Sequence, residues 1–200
     1  PGNKPCPAVA LTIADLRDPS RPEHPAEKSQ VTVSGVVTAI RPDRGFFLQD
    51  PAASTWGGIH VFDNGDNTVA RGDVVTVSGT YLEYYEMSEI EAPTSVQVTG
   101  SQAVPAAIAV DPCDVSGGAT AEVYEGMLVT VGSVSVTDDN PDAPDDYDEF
   151  EVASCLRIDD WLCDACIDDQ PAKGTSFDLT GVLIFSFGEY KLAPRDADDL

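Results

Sequence analysis

From Val31 onward the apolar residues fall on every second position. Val31-Thr32-Val33-Ser34-Gly35-Val36-Val37-Thr38-Ala39-Ile40 is alternating and β-branched, a pattern that favours strand over helix. Gly35 within it predicts a bulge or bend, the device that curls a long strand around a barrel. Further strands are expected over 45–50, ended by Pro51, then over 58–62 and 73–81, with an Asn/Asp/Gly turn at 63–67. Residues 89–91 and 95–98 supply the last one. Five strands at short intervals suit a small barrel.

The second half repeats the plan. Gly72-Asp73-Val74-Val75-Thr76-Val77-Ser78-Gly79 aligns without gaps on Gly174-Thr175-Ser176-Phe177-Asp178-Leu179-Thr180-Gly181, an offset of 102. The same offset pairs Tyr81 with Leu183, Tyr85 with Phe187 and Ile90 with Leu192, while Val31-Thr32-Val33 matches Val129-Thr130-Val131. The chain is therefore expected to be all-β, with two tandem five-stranded barrels and short helices, one barrel over 31–100 and the other over 126–200. Residues 101–125, rich in Ala, Pro and Gly, read as a linker with a brief helix at 119–124. Residues 1–30 read as an extended, Pro-rich arm whose one helical stretch is 11–16, capped by Thr12.

Charge changes the picture of partners. The net charge is −24, and the excess is uneven, with 13 acids against 7 bases in residues 1–100 and 22 against 4 in residues 101–200. Such a surface repels phosphate backbones and anionic lipids and favours divalent cations. No apolar run is long enough to span a bilayer, so no membrane insertion is expected. The sequence opens on Pro1 without a leader pattern and reads as a processed product.

The cysteines Cys6, Cys113, Cys155, Cys163 and Cys166 read as disulfide candidates with one left over, and hence an extracellular or cell-surface location. Cys155, Cys163 and Cys166 as zinc ligands lack a nearby fourth. The segment holding Asp138, Asp139, Asp142, Asp145, Asp146, Asp148 and Glu149 is a candidate Ca²⁺ loop or a plain solvated one, and it lacks EF-hand spacing. Asp159, Asp160 and Asp164, with Asp168 and Asp169, form a second acidic cluster around Trp161. Among the aromatics, Trp56, Tyr84 and Tyr85 are candidates for stacking on a ligand. Because neighbours in a strand point oppositely, one of Tyr84 and Tyr85 is expected to be exposed. No nucleophile signature accompanies His24 or His60, and Cys163-Asp164-Ala165-Cys166 lacks a thioredoxin-like surround, so no enzyme is expected.

Gly45-Phe46-Phe47-Leu48-Gln49-Asp50-Pro51, Gly58-Ile59-His60-Val61-Phe62 and Gly72–Gly79 resemble the OB-fold domains found beside the catalytic domains of bacterial extracellular nucleases. Gly181-Val182-Leu183 through Pro194-Arg195 is similar to the end of the same domain type. The resemblance implies OB-type barrels acting as accessories that hold nucleic acid, here without the domain that cuts it. The acidity departs from that pattern, since an OB groove ordinarily follows a strand with basic and aromatic residues. Two functions are expected on these grounds. One is a secreted, non-catalytic, calcium-binding protein that self-associates into an assembly or filament, or joins another extracellular protein. The alternative is a nucleic-acid-binding accessory module that meets phosphates through bridging cations.

Overall fold

The computed structural model of the chain describes residues 9–66, 68–167 and 171–200. The first structured element is a short strand, β1 (Val9–Ala10), followed by helix α1 (Ile13–Arg17). Thr12 caps this helix in a reciprocal box with Asp15, as the Thr-x-x-acid spacing favours. Ile13 and Leu16 turn inward and join the core of the barrel that follows.

That barrel consists of β2 (Gln30–Arg41), β3 (Gly45–Gln49), β4 (Gly58–Phe62), β5 (Asp73–Tyr84) and β6 (Met87–Ser101). The hydrogen-bonded order β2-β3-β4-β6-β5 closes through a β2–β5 pairing. Strand β2 makes closure feasible because its first half pairs with β5 and its second half with β3, Val36 meeting both Val74 and Gln49. The irregularity that bends it lies between Val37 and Ala39 rather than at Gly35. Gly35 serves a different end: a Cβ there would lie 3.0 Å from Ile13 Cδ1 and 3.2 Å from the Gln49 carbonyl, so the missing side chain lets α1 seat.

The second sheet contains β7 (Ile108–Ala109), β8 (Leu128–Asp138), β9 (Phe150–Val152), β10 (Leu156–Ile158), β11 (Ser176–Ser186) and β12 (Glu189–Ala193). Its order, β8-β9-β10-β12-β11 with a closing β11–β8 pairing, has the connectivity of the first. Both barrels are OB-type, and the aligned glycines fall on the same rung, Gly79 opposite Val31 and Gly181 opposite Val129. Two small helices, α2 (Gly118–Glu122) and α3 (Asp164–Ile167), accompany this barrel.

Two expectations change. The described part of the 1–30 segment is not a free arm, because Val9–Ala10 pairs in parallel with this chain's own Val31–Thr32 and α1 is buried. Residues 1–8 lie outside the described residues. Within 101–125, Ile108–Ala109 pairs with β8, and Val115 and Ala121 are fully buried in the second core, so apolar side chains dock what reads as a linker.

The barrels meet through a third apolar cluster made of Ala39, Phe47 and Met87 from one side and Leu128, Leu162, Val182, Ile184 and Ala193 from the other. Backbones touch there directly. Gly126, at φ +74°, packs on Gly58 so closely that a Cβ on it would lie 2.8 Å from the Gly58 carbonyl carbon. Polar groups fix the orientation, with Gln49 Oε1 accepting from Leu128 N at 2.8 Å and Trp56 N donating to Val123 O at 2.6 Å. Arg17 of α1 reaches Glu122 at 3.1 Å and Glu125 at 3.0 Å, and Glu125 also accepts from Ser88 N at 3.0 Å. Burial, opposed by Arg17, pushes the Glu125 carboxyl up to about 8.

Candidate ligand groove

A groove of about 840 Å³ opens beside the joint. His60 and Phe62 of β4, together with Arg41 and Arg44 around the β2–β3 turn, supply its first wall. β4 is a middle strand and the β2–β3 turn the first loop of an OB barrel, parts of the face on which such barrels hold oligonucleotides and oligosaccharides. The β5–β6 hairpin rises on one side, and the β11–β12 hairpin of the other barrel lines it too, with Trp161 below.

The two hairpin tips are built alike. Tyr84 pairs with Met87 across a two-residue turn whose central residues, Tyr85 and Glu86, take φ +48° and +70°. Ser186 pairs with Glu189 across Phe187 and Gly188, at φ +51° and +86°. Positive φ at both central positions marks the hairpin turn that matches strand twist, which ordinarily selects Asn and Gly. A Tyr and a Phe in that backbone are strained, a feature that clusters at ligand sites. Both rings also stand in solvent, Tyr85 80% exposed and Phe187 99%.

Tyr84 is exposed as well and meets the Tyr85 ring edge-on, with centroids 4.7 Å apart. Strand alternation expects one of the pair to be exposed, and both are, because the turn begins at Tyr85 and breaks the period of two. Trp56 does not line the groove. It sits in the joint, with its amide on Val123 and the Arg17 guanidinium 5.7 Å from its ring centroid.

His60 is only 2% exposed, packed between Phe47 and Trp161 at ring-centroid distances of 4.9 and 5.5 Å. Its Nδ1 lies 3.1 Å from Glu89 Oε2, whereas its buried Nε2 meets no protein partner. Trp161 carries Arg41 on its face, 3.7 Å from guanidinium carbon to ring centroid. The Trp161 amide donates to Asp159 Oδ1 at 2.8 Å, and a Cys163–Cys166 disulfide closes the turn just beyond it. Beside this turn, burial and then the neighbouring Asp159 and Asp164 push Asp160 up to about 6.

The acidic candidates disperse. Asp142 pairs with Arg157 at 2.6 Å, and Asp159 pairs with Lys191 at 3.1 Å. Glu149 bridges both cations, binding Arg157 at 3.0 Å and contacting Lys191 more closely still. Asp138 and Asp146 accept from backbone amides two residues on, as Asx turns do, and Asp139 accepts weakly from Lys173 N. Asp148 sits on a left-handed turn, Asp145 is exposed, and Asp164 opens α3. Among the described residues no three His, Cys, Asp or Glu side chains gather as a metal ion requires. Asn67, Asp168 and Asp169 lie outside the described residues. Of the cysteines, Cys113 pairs with Cys155 and Cys163 with Cys166, and Cys6 lies outside the described residues.

Sequence reasoning missed Arg41, Arg44, Trp161, Phe187 and the role of His60. One signal was in reach. The offset of 102 aligns Tyr85 with Phe187, the two tip residues, but an aligned aromatic pair reads first as shared core.

Fold and groove together define an all-β protein of paired OB-type barrels with a shared groove on the OB ligand face. Its strand order carries that assignment. No family model and no curated protein matches the sequence. Among solved structures, the hypothetical protein YgiW from E. coli is 19% identical with a TM-score of 0.32, covering 45% of this chain and 87% of its own. The second OB-fold domain of replication protein A from Methanococcus maripaludis is 18% identical with a TM-score of 0.35, covering 47% of this chain and 98% of its own.

Proposed function

We propose that this chain is a non-catalytic binding protein of an oxidising, extracellular compartment, and that its ligand is an extended molecule with flat faces lying in the inter-barrel groove. The observation that carries the reading is the matched pair of tips: Tyr85 and Phe187 occupy equivalent turn positions in different barrels, both strained and both exposed, and both line one groove. Large rings held in solvent by strained backbone cost stability in the free protein, and a stacked ligand offsets that cost. The disulfides Cys113–Cys155 and Cys163–Cys166 support the compartment, since such bridges persist where thiols are not kept reduced. The reading requires neither calcium nor a second copy of the chain.

Isothermal titration of the full chain against a panel of single-stranded oligonucleotides and oligosaccharides tests it. The Tyr85→Ala/Phe187→Ala protein is expected to bind the recognised probe at least ~10-fold more weakly, since each stacked aromatic contributes roughly 1 kcal/mol. Unchanged affinity in that variant, or no binding by any probe, sinks the proposal.

A further inference from the structure

Resting on that groove as the binding site, we infer that its ligand is a neutral oligosaccharide, selected by hydroxyl recognition at His60 and by the charge of the walls. Stacking alone does not choose, because bases and the apolar faces of sugar rings both lie flat on Tyr and Phe. The polar groups do choose.

His60 Nδ1 faces the Glu89 carboxylate at 3.1 Å, and a carboxylate only accepts, so Nδ1 carries the proton of the neutral ring. In the neutral ring Nε2 is then a bare acceptor, buried and with no protein donor, on a residue that lines the groove. A buried polar atom without a partner is costly, and a ligand that brings a donor removes the cost. A hydroxyl donates to the neutral ring and accepts from the charged one. A phosphate oxygen serves only the charged ring.

The walls point the same way. Arg41 and Arg44 share the groove with Glu86, Glu89 and Glu91, in a chain of net charge −24. Arg41 is moreover laid on Trp161. Phosphate backbones bind through counterion release to several unopposed Lys and Arg, which this lining does not offer. Carboxylates and guanidinium groups side by side suit a polyol, whose hydroxyls donate to the first and accept from the second.

The test probes the full chain on an array of neutral glucan, chitin, mannan and galactan oligosaccharides, with oligo(dT) alongside, at about 50 and about 200 mM salt. A neutral oligosaccharide is expected to bind with an affinity that does not change across that range. The variant His60→Phe, which preserves ring volume, is expected to weaken binding about 10-fold while its thermal melt confirms folding, as the loss of one buried hydrogen bond implies. Binding of oligo(dT) with steep salt dependence, and of no glycan, overturns the sugar assignment and leaves the groove standing. Sugar binding that survives Tyr85→Ala/Phe187→Ala, or no binding by any probe, overturns both.

Discussion

Glu125 shows how much a single side chain contributes to this architecture. It lies almost wholly buried between the barrels, beside Arg17 and Ser88, and stays protonated up to about pH 8. In the unfolded chain the same group titrates near 4.5. Between those values the folded state holds a proton that the unfolded state has lost, so stability falls as pH rises and levels off above about 8. Asp160, raised to about 6, and Asp159, raised chiefly by burial, add slopes of the same sign, so Glu125 is one contributor across the interval from about 6 to about 8. Urea midpoints across that interval are expected to decline in the parent protein and to decline less steeply in Glu125→Gln; a parent midpoint that rises instead, or equal slopes in the two proteins, would refute the assignment. Lys191 presents the opposite case, a buried cation held by Glu149 and Asp159. Lys191→Met leaves buried Asp159 without a cation and Glu149 with Arg157 alone, and a loss of about 3 kcal/mol in denaturant unfolding is expected. A change within about 0.5 kcal/mol would show that water or another cation already serves those acids. Neither role was legible in sequence, where Glu125 and Lys191 are single charges whose partners lie far along the chain.

At the scale of elements, alternation is a local property, and it located the strands that depend on local pattern. The β-branched runs at β2 and β5 and the capped turn at α1 were readable from their own residues. Strand β6, expected over 89–91 and 95–98, runs unbroken from Met87 to Ser101, through an interruption at Pro93 that the pattern of its own residues leaves blank. Its first half completes the barrel beside β4, and a register shift near Gly79 absorbs the interruption. Strands β9 and β10, three residues each, are too short to carry a period. The acidic loop reads as a cation site or a solvated loop because sequence counts like charges and does not show Arg157 and Lys191 arriving from other strands. Cysteine pairing is likewise tertiary. The Cys113–Cys155 bridge closes a separation of 42 residues between the α2 approach and the β9–β10 turn. By loop entropy, Cys113→Ala/Cys155→Ala is expected to lose about 4 kcal/mol in reversible unfolding. A loss below about 1 kcal/mol would mean that the unfolded chain already restricts that loop without the bridge.

The groove is a property of the whole molecule, because neither barrel contains it alone. Its geometry depends on the joint where Gly126 lies against Gly58 and Phe47 against the second barrel. Gly126→Ala adds a methyl group at a left-handed position and against a neighbouring backbone. It is expected to cost about 2 kcal/mol and to weaken ligand binding without touching any groove residue. Calorimetric stability and affinity measured on the same sample check that coupling, and a variant that loses stability but binds as before would separate joint from groove. The most direct test of the central claim is amide chemical-shift mapping of the full chain during titration with the probe that binds most tightly. The account predicts that Tyr84–Glu86 in one barrel and Phe187–Gly188 in the other shift together along one saturating curve, with the His60 ring resonances following. Shifts confined to a single barrel, or lying away from both tips, would contradict it.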